Sequence, residues 1–305
     1  MIGRIIEIAT DGVHLSTYRG FMKVSEGHEE IGRVPLDDIS ALIVHGHGAT
    51  FSANLVSRLA ENGSPMVICN NQHSPVAMVW PVEGHHQQGL RMQAQTEASK
   101  PLKKRLWRDI IKAKITSQAI ALEATNENSA PLYDLAKRVR SGDPENIEAQ
   151  AARRYWGMMM GAGFRRDRGS DGINAMLNYA YMVLRAGTAR SIIGAGLHPS
   201  LSLYHISRGN PLRLADDLME PFRPYADLLV QQLAKQGIEM LSPETKAKLA
   251  SLMTLDLQGP KGASPLQTCL NRLASSLAQA FLGERNTLEF PGPALDLSLS
   301  GTALT

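Results

Sequence analysis

The spacing of apolar residues changes once along the chain, across residues 83–94, and the fold must therefore join two kinds of packing in series. Up to about residue 82 the apolar runs are short. IIEI, VHLSTY, FMKVS, ALIVH, PMVIC and VAMVW are rich in β-branched or apolar side chains. Turn signals such as Asp11-Gly12 and Arg19-Gly20 separate them, so they read as strands. Tight turns between neighbours favour antiparallel pairing. One helix interrupts the strands: Ser52 is a suitable N-cap, LVSRLAEN has helical spacing, and Gly63 is a suitable stop. Residues 1–82 are expected to form a small β-sandwich carrying that helix.

Residues 83–94, EGHHQQGLRMQA, are polar and read as a linker, with His85 and His86 exposed. From 95 to 285 the spacing is helical. KKRLWRDIIKAKITSQAIALEA (103–124) and PLYDLAKRVR (131–140) come first. A helix opened by Asp143 as cap and Pro144 at its first position follows, and it carries Glu148. Residues 171–196, 224–237, 242–253 and 264–284 supply the remaining helices, the last three opening with Ser or Pro. The tail, 286–305, contains Pro291, Gly292, Pro293 and Gly301 and is expected to be poorly ordered or to act as an arm. The fold class is α+β, an N-terminal β-sandwich followed by an all-α domain.

Charge narrows the function. With 32 Lys plus Arg against 29 Asp plus Glu, a net +3 does not suit a protein that coats nucleic acid by bulk charge, so any DNA contact must come from local basic groups. Cys69 and Cys269 are far apart in apolar surroundings, which excludes a cysteine zinc cluster and fits a reducing compartment. Arg4 and Glu7 interrupt the first apolar run, so it does not read as a signal peptide. No apolar run approaches the ~18 residues of a membrane span. A cytoplasmic protein is expected.

The residues able to do chemistry concentrate in 196–224, GLHPSLSLYHISRGNPLRLADDLMEPFRP. His205 stands here with Arg208, Asn210, Asp217 and Glu220 close behind; a lone histidine is more often a core residue, and the company raises this one. His198 precedes a proline and reads as a loop histidine. Asp217 and Glu220 share a helix face, where paired carboxylates repel unless a cation lies between them, although an acidic surface helix has the same pattern. Pro221 should end or kink that helix at Glu220. Glu148 shares its face with Ala152 and Tyr155, so it points into protein; the plain alternative is a salt bridge to Arg153 or Arg154. One imidazole with two carboxylates from separate helices would make a mixed N/O site suited to Mg²⁺ or Mn²⁺. Each basic group on its own reads as a solvated helix face. The loop GFRRDRGSDG, with Arg165, Arg166 and Arg168, is best placed to clamp phosphates, joined by Arg153 and Arg208.

DDISALIVHGHGATFSANLVSRLAENGSPMVICN, DGINAMLNYAYMVLRA and the 196–224 stretch together resemble the CRISPR-associated integrase, the universal nuclease of spacer acquisition, in its type II form. The likeness runs over nearly the whole chain. It implies a β domain that dimerises and a helical catalytic domain. It also implies a metal held by Glu148, His205 and Glu220; where other members carry aspartate at the last position this chain has glutamate, with Asp217 in reserve, and the break at Pro221 suits Asp217 to an orienting group or second metal site. A metal-dependent DNA endonuclease and integrase would follow, inserting captured double-stranded DNA at the edge of a CRISPR repeat by attack of a 3′-hydroxyl. A small ferredoxin-like adaptation protein is the implied partner, with the type II effector nuclease as a further candidate. Two other readings are a structure-specific nuclease of branched DNA in repair and a non-catalytic DNA-binding assembly subunit.

Overall fold

The computed structural model describes residues 4–70, 75–167, 169–206, 210–259 and 262–295. The N-terminal part holds β1 (Arg4–Ile8), β2 (His14–Tyr18), β3 (Phe21–Glu26), β4 (Glu29–Pro35), β5 (Ile39–Val44), β6 (Thr50–Phe51), α1 (Ala53–Glu61), β7 (Met66–Cys69) and β8 (Pro75–Val79). Ser52 caps α1 as expected, its hydroxyl accepting from the Leu55 amide. The strands form two four-stranded sheets, β1-β5-β7-β8 and β4-β3-β2-β6. The expectation of antiparallel pairing holds for β2–β3–β4, which tight turns connect. Pairs that no tight turn joins, β1–β5, β5–β7 and β2–β6, are parallel, while neighbouring β7 and β8 are antiparallel. The whole meander β2–β4 lies between β1 and β5, α1 lies between β5 and β7, and β3–β5 lies between β2 and β6, so each parallel pair has the long crossover that it needs.

All six residues of β5 are buried. Ala41 and Ile43 face the core of the helical half, with Ile5 and Val67 from the neighbouring strands. Ile39, Leu42 and Val44 face a second core under β2, β3 and α1. The first sheet is thus a wall between two cores, and its strands read as continuous apolar runs for that reason. A polar lock fastens the same sheet to the helices. Glu7 accepts from Tyr179, from Lys246 Nζ at 3.0 Å, and pairs with His45 Nε2 at 3.1 Å. Burial opposes the Glu7 charge, but the hydrogen bonds of His45, Tyr179 and Lys246 outweigh it and hold the carboxyl at about 2.

The helical part contains α2 (Gln88–Glu97), α3 (Lys100–Ala124), α4 (Ala130–Arg138), α5 (Ile147–Met159), α6 (Ile173–Gly194), α7 (Arg213–Leu218), α8 (Arg223–Lys235) and α9 (Pro243–Ala250). A hairpin of β9 (Asp256–Gly259) and β10 (Gly262–Pro265) then precedes α10 (Leu266–Phe281). Three expectations change. The linker is helical in its second half, because α2 begins at Gln88 and anchors through Gln95, which is buried. The β9–β10 hairpin interrupts the helical run. The first part of the tail is fastened: Gly292 and Leu295 donate to Gln258 and Asp256 on β9, and Gln258 donates to Pro293. Two prolines hold that segment extended, which suits an edge strand. Residues 296–305 lie outside the described residues. Among the described residues no helix is long and apolar enough to cross a membrane.

Candidate active site

Four helical segments meet around one cation. Glu148 is the second residue of α5. That helix starts later than the sequence predicts, after Asp143 and Asn146, both of which have left-handed backbones. Asp143 still serves as a cap, its carboxylate accepting from the Ile147 and Glu148 amides at 2.9 and 3.0 Å. Glu148 therefore sits at the positive end of a helix, which favours a carboxylate. Its ion pair is not with Arg153 or Arg154, which are exposed. It is with Lys114 of α3, whose Nζ lies 2.6 Å from Glu148 Oε1.

Glu220 completes the clasp from the other side. Helix α7 ends at Leu218 and a 3-10 turn spans Glu220–Phe222, the break expected at Pro221. Glu220 is buried, with Oε2 2.7 Å from Lys114 Nζ and Oε1 3.2 Å from Arg223 Nη2. Burial disfavours its charge, but Arg223 and then Lys114 outweigh that and lower its pKa. Burial likewise opposes the Lys114 charge, and Glu220 and Glu148 outweigh it and raise the lysine pKa.

His205 is oriented rather than free. Fully buried Asp217 accepts from the Leu203, Tyr204 and His205 amides at 2.6, 3.2 and 3.3 Å, and from His205 Nδ1 at 2.6 Å. With the Nδ1 proton directed at a carboxylate, Nε2 is the acceptor nitrogen. No hydrogen bond reaches Nε2 among the described residues, and 40% of the side chain is exposed. The Asp217 hydrogen bond, against burial, raises the His205 pKa. The loop before His205 is braced by Gln95, which donates to the His198 and Leu201 carbonyls and accepts from the His198 amide. Trp107 of α3 packs edge-on to the imidazole and stacks parallel on Tyr204 at 4.5 Å. Asp216 points elsewhere, into an ion pair with Arg185 at 2.7 Å.

The donor chemistry fits a hard divalent ion. Two carboxylates from separate helices converge on one cation, and an imidazole with a carboxylate behind it comes from the same 196–224 stretch that carries Glu220. Among the described residues no three His, Cys, Asp or Glu side chains are yet gathered for a metal. Lys114 fills the space between the acids, so holding an ion there requires it to move. Given that movement, Glu148, Glu220 and His205 Nε2 are the residues that would hold it.

The arginines divide. Arg153, Arg154 and Arg165 are exposed. The Arg166 guanidinium donates to Asn174 at 2.9 Å and Asn178 at 2.6 Å, and stacks on Tyr181 at 5.5 Å. Arg168 and Arg208 lie outside the described residues. Arg223 covers Tyr181 at 5.1 Å. Tyr181 and Tyr155 both donate to buried Asp227, whose carboxyl burial pushes up to about 6. Sequence reading singles out neither Lys114, Arg223, Gln95 nor Asp227. Lys114 does carry a signal, since it follows Trp107 by seven and Ile110 by four and so falls in the buried stripe of α3.

The model of the family described as CRISPR associated protein Cas1 matches residues 6–248. The CRISPR-associated endonuclease Cas1 of Neisseria meningitidis serogroup C (strain 8013) is 35% identical over 289 residues, covering 93% of this chain and 94% of the relative. Among solved structures, a casposase bound to an integration product superposes with a TM-score of 0.80 at 20% identity, covering 96% of this chain and 95% of that one. A chain of a Cas6-RT-Cas1–Cas2 complex superposes with a TM-score of 0.72 at 18% identity, covering 93% of this chain and 36% of that longer chain.

Proposed function

The chain belongs to the Cas1 family, and on that premise we propose that it is the metal-dependent DNA endonuclease and integrase of CRISPR adaptation. Its reaction is transesterification, in which a 3′-hydroxyl of captured double-stranded DNA attacks a phosphodiester at the edge of a CRISPR repeat, joins to the repeat's 5′-phosphate and releases the 3′-oxygen of the flanking nucleotide. The observation that carries this reading is the convergence of Glu148 and Glu220 on one cation, beside an imidazole oriented by Asp217. The casposase, a protein of the same fold seen with an integration product, supports joining as the chemistry.

Mg²⁺ or Mn²⁺, when bound, supplies the positive charge that polarises the phosphate and stabilises the leaving oxygen. The chain's own residues prepare for this. Asp217 holds the proton on His205 Nδ1, so that Nε2 offers a lone pair. Arg223 keeps Glu220 ionised in a buried setting. Exposed Arg153, Arg154 and Arg165 offer phosphate contacts, with no serine or tyrosine nucleophile required. A homodimer through the β part and a small ferredoxin-like partner belong to the same proposal. The Cas1–Cas2 assembly of the structural neighbour supports a partner of that kind.

The test is a reaction with supercoiled DNA containing a repeat and a short duplex with free 3′ ends. Covalent joining of the duplex to the repeat edge is the expected product. Hydrolysis of branched DNA without joining would favour a repair nuclease instead.

A further inference from the structure

Lys114 is a long basic side chain in the buried stripe of a core helix, with 12% of its surface exposed. Its ammonium lies 2.6 Å from Glu148 Oε1 and 2.7 Å from Glu220 Oε2. Two carboxylates from different helices do not close on one point without a positive charge between them. Here the chain itself supplies that charge. An ammonium and a divalent ion cannot occupy the same few ångströms between the same oxygens, since each would face the other's charge at contact distance.

We propose that Lys114 is the resident occupant of the gap between Glu148 and Glu220, displaced when a divalent ion binds, and that it thereby sets the metal concentration at which the site becomes competent. The inference rests on the metal reading above and deepens it.

The two cations on Glu220 are placed for different fates. Arg223 takes Oε1 at 3.2 Å and lies over the Tyr181 ring, which fixes its planar group from a second side. Lys114 takes Oε2 and, among the described residues, has no ring contact of that kind. A lysine is a point charge on a four-carbon stem and can swing away without moving its helix. The oxygens it would vacate, Glu148 Oε1 and Glu220 Oε2, are the pair that already converge. Arg223 would remain and keep Glu220 ionised through the exchange. The device makes the metal-free protein stable with its acids matched, at the cost of weaker metal binding. Mn²⁺, which generally binds a mixed N/O donor set more tightly than Mg²⁺, should displace the lysine at lower concentration.

The experiment is a calorimetric titration of Mn²⁺ into the full chain without DNA, for wild type, Lys114→Met and Lys114→Gln, with melting temperatures in chelator and at saturating Mn²⁺. Both variants keep Arg223 on Glu220, and Glu148 is 26% exposed, so water can take over its solvation. Lys114→Gln also retains a neutral donor between the acids. The expected result is Mn²⁺ binding at least tenfold tighter in both variants, a lower melting temperature in chelator, and a larger rise on adding Mn²⁺ than in wild type. Equal or weaker Mn²⁺ binding in both variants overturns the proposal while leaving the metal site intact. No Mn²⁺ binding by wild type or either variant removes the metal reading, and this inference with it.

Discussion

Asp217→Asn changes a few atoms of a side chain that does not touch the candidate metal position, and its effect can be worked from the hydrogen bonds. Asp217 Oδ2 accepts from the Leu203 and Tyr204 amides, and Oδ1 accepts from the His205 amide and from His205 Nδ1 at 2.6 Å. Asparagine can keep its oxygen on the Leu203 and Tyr204 side. Its NH₂ group then faces the His205 amide, donor against donor, and it faces Nδ1. The imidazole can satisfy that new donor only by carrying its proton on Nε2, and a protonated Nε2 is no ligand. Hydrogen bonds to a charged group contribute about 1.5–3 kcal/mol each. Losing the one that selects the tautomer should weaken the metal site by roughly 10- to 150-fold, which includes the range seen when outer partners of a ligating histidine are removed. The assay is the rate of DNA joining across an Mn²⁺ titration. The variant should need ~10–150 times more Mn²⁺ at its midpoint and regain part of the rate at high metal. An unchanged midpoint with a folded variant would mean that Asp217 does not select the nitrogen that His205 presents.

Glu220→Gln removes the buried anion on which Lys114 and Arg223 both converge, and joining should fall almost to background at every metal concentration; near-normal joining would transfer the ligand role to Asp217. Glu7→Gln tests the lock between sheet and helices. Glu7 is held at about 2 against 4.5 with its side chain 12% exposed, which corresponds to about 3 kcal/mol of stability near neutral pH. Because folding lowers this pKa, the contribution is complete above pH ~4.5 and fades as the pH falls toward 2; denaturant melts showing a wild-type-to-variant gap that ignores pH in that window would count against it. DNA affinity should drop steeply between 50 and 200 mM salt, since local arginines rather than a net +3 must supply the contacts; salt-insensitive binding in a filter assay would exclude a phosphate clamp built on Arg153, Arg154 and Arg165.

What was legible in the chain was local. Ser52 announces α1, Pro221 announces the break after α7, and both signals act within a few residues of themselves. The change from strand to helix near residue 90 was equally plain, because periodicity is a property of one segment at a time. What required the fold was pairing at a distance. Parallel β1–β5 pairing spans the intervening meander, and nothing in IIEI or ALIVH says which neighbour each will find. Lys114 lies 34 residues from Glu148 and still further from Glu220, so an ion pair to nearby Arg153 or Arg154 looked the simpler partner. Arg166 reads as a clamp from its glycine-flanked loop, and its partners Asn174 and Asn178, one helical turn apart on α6, become visible only in the fold. The hairpin at 256–265 is short and glycine-bearing, and a bridge from Leu257 to Ala294 ties it to the tail.

If Glu148, Glu220 and His205 form the site at which DNA is joined, losing Glu148 or His205 must abolish joining. The most direct measurement compares wild type, Glu148→Ala and His205→Ala in the joining reaction on supercoiled repeat DNA with Mn²⁺, each variant checked for folding by circular dichroism. Joined product is expected with wild type and none with either folded variant. Wild-type levels of joining from folded Glu148→Ala or His205→Ala would contradict it.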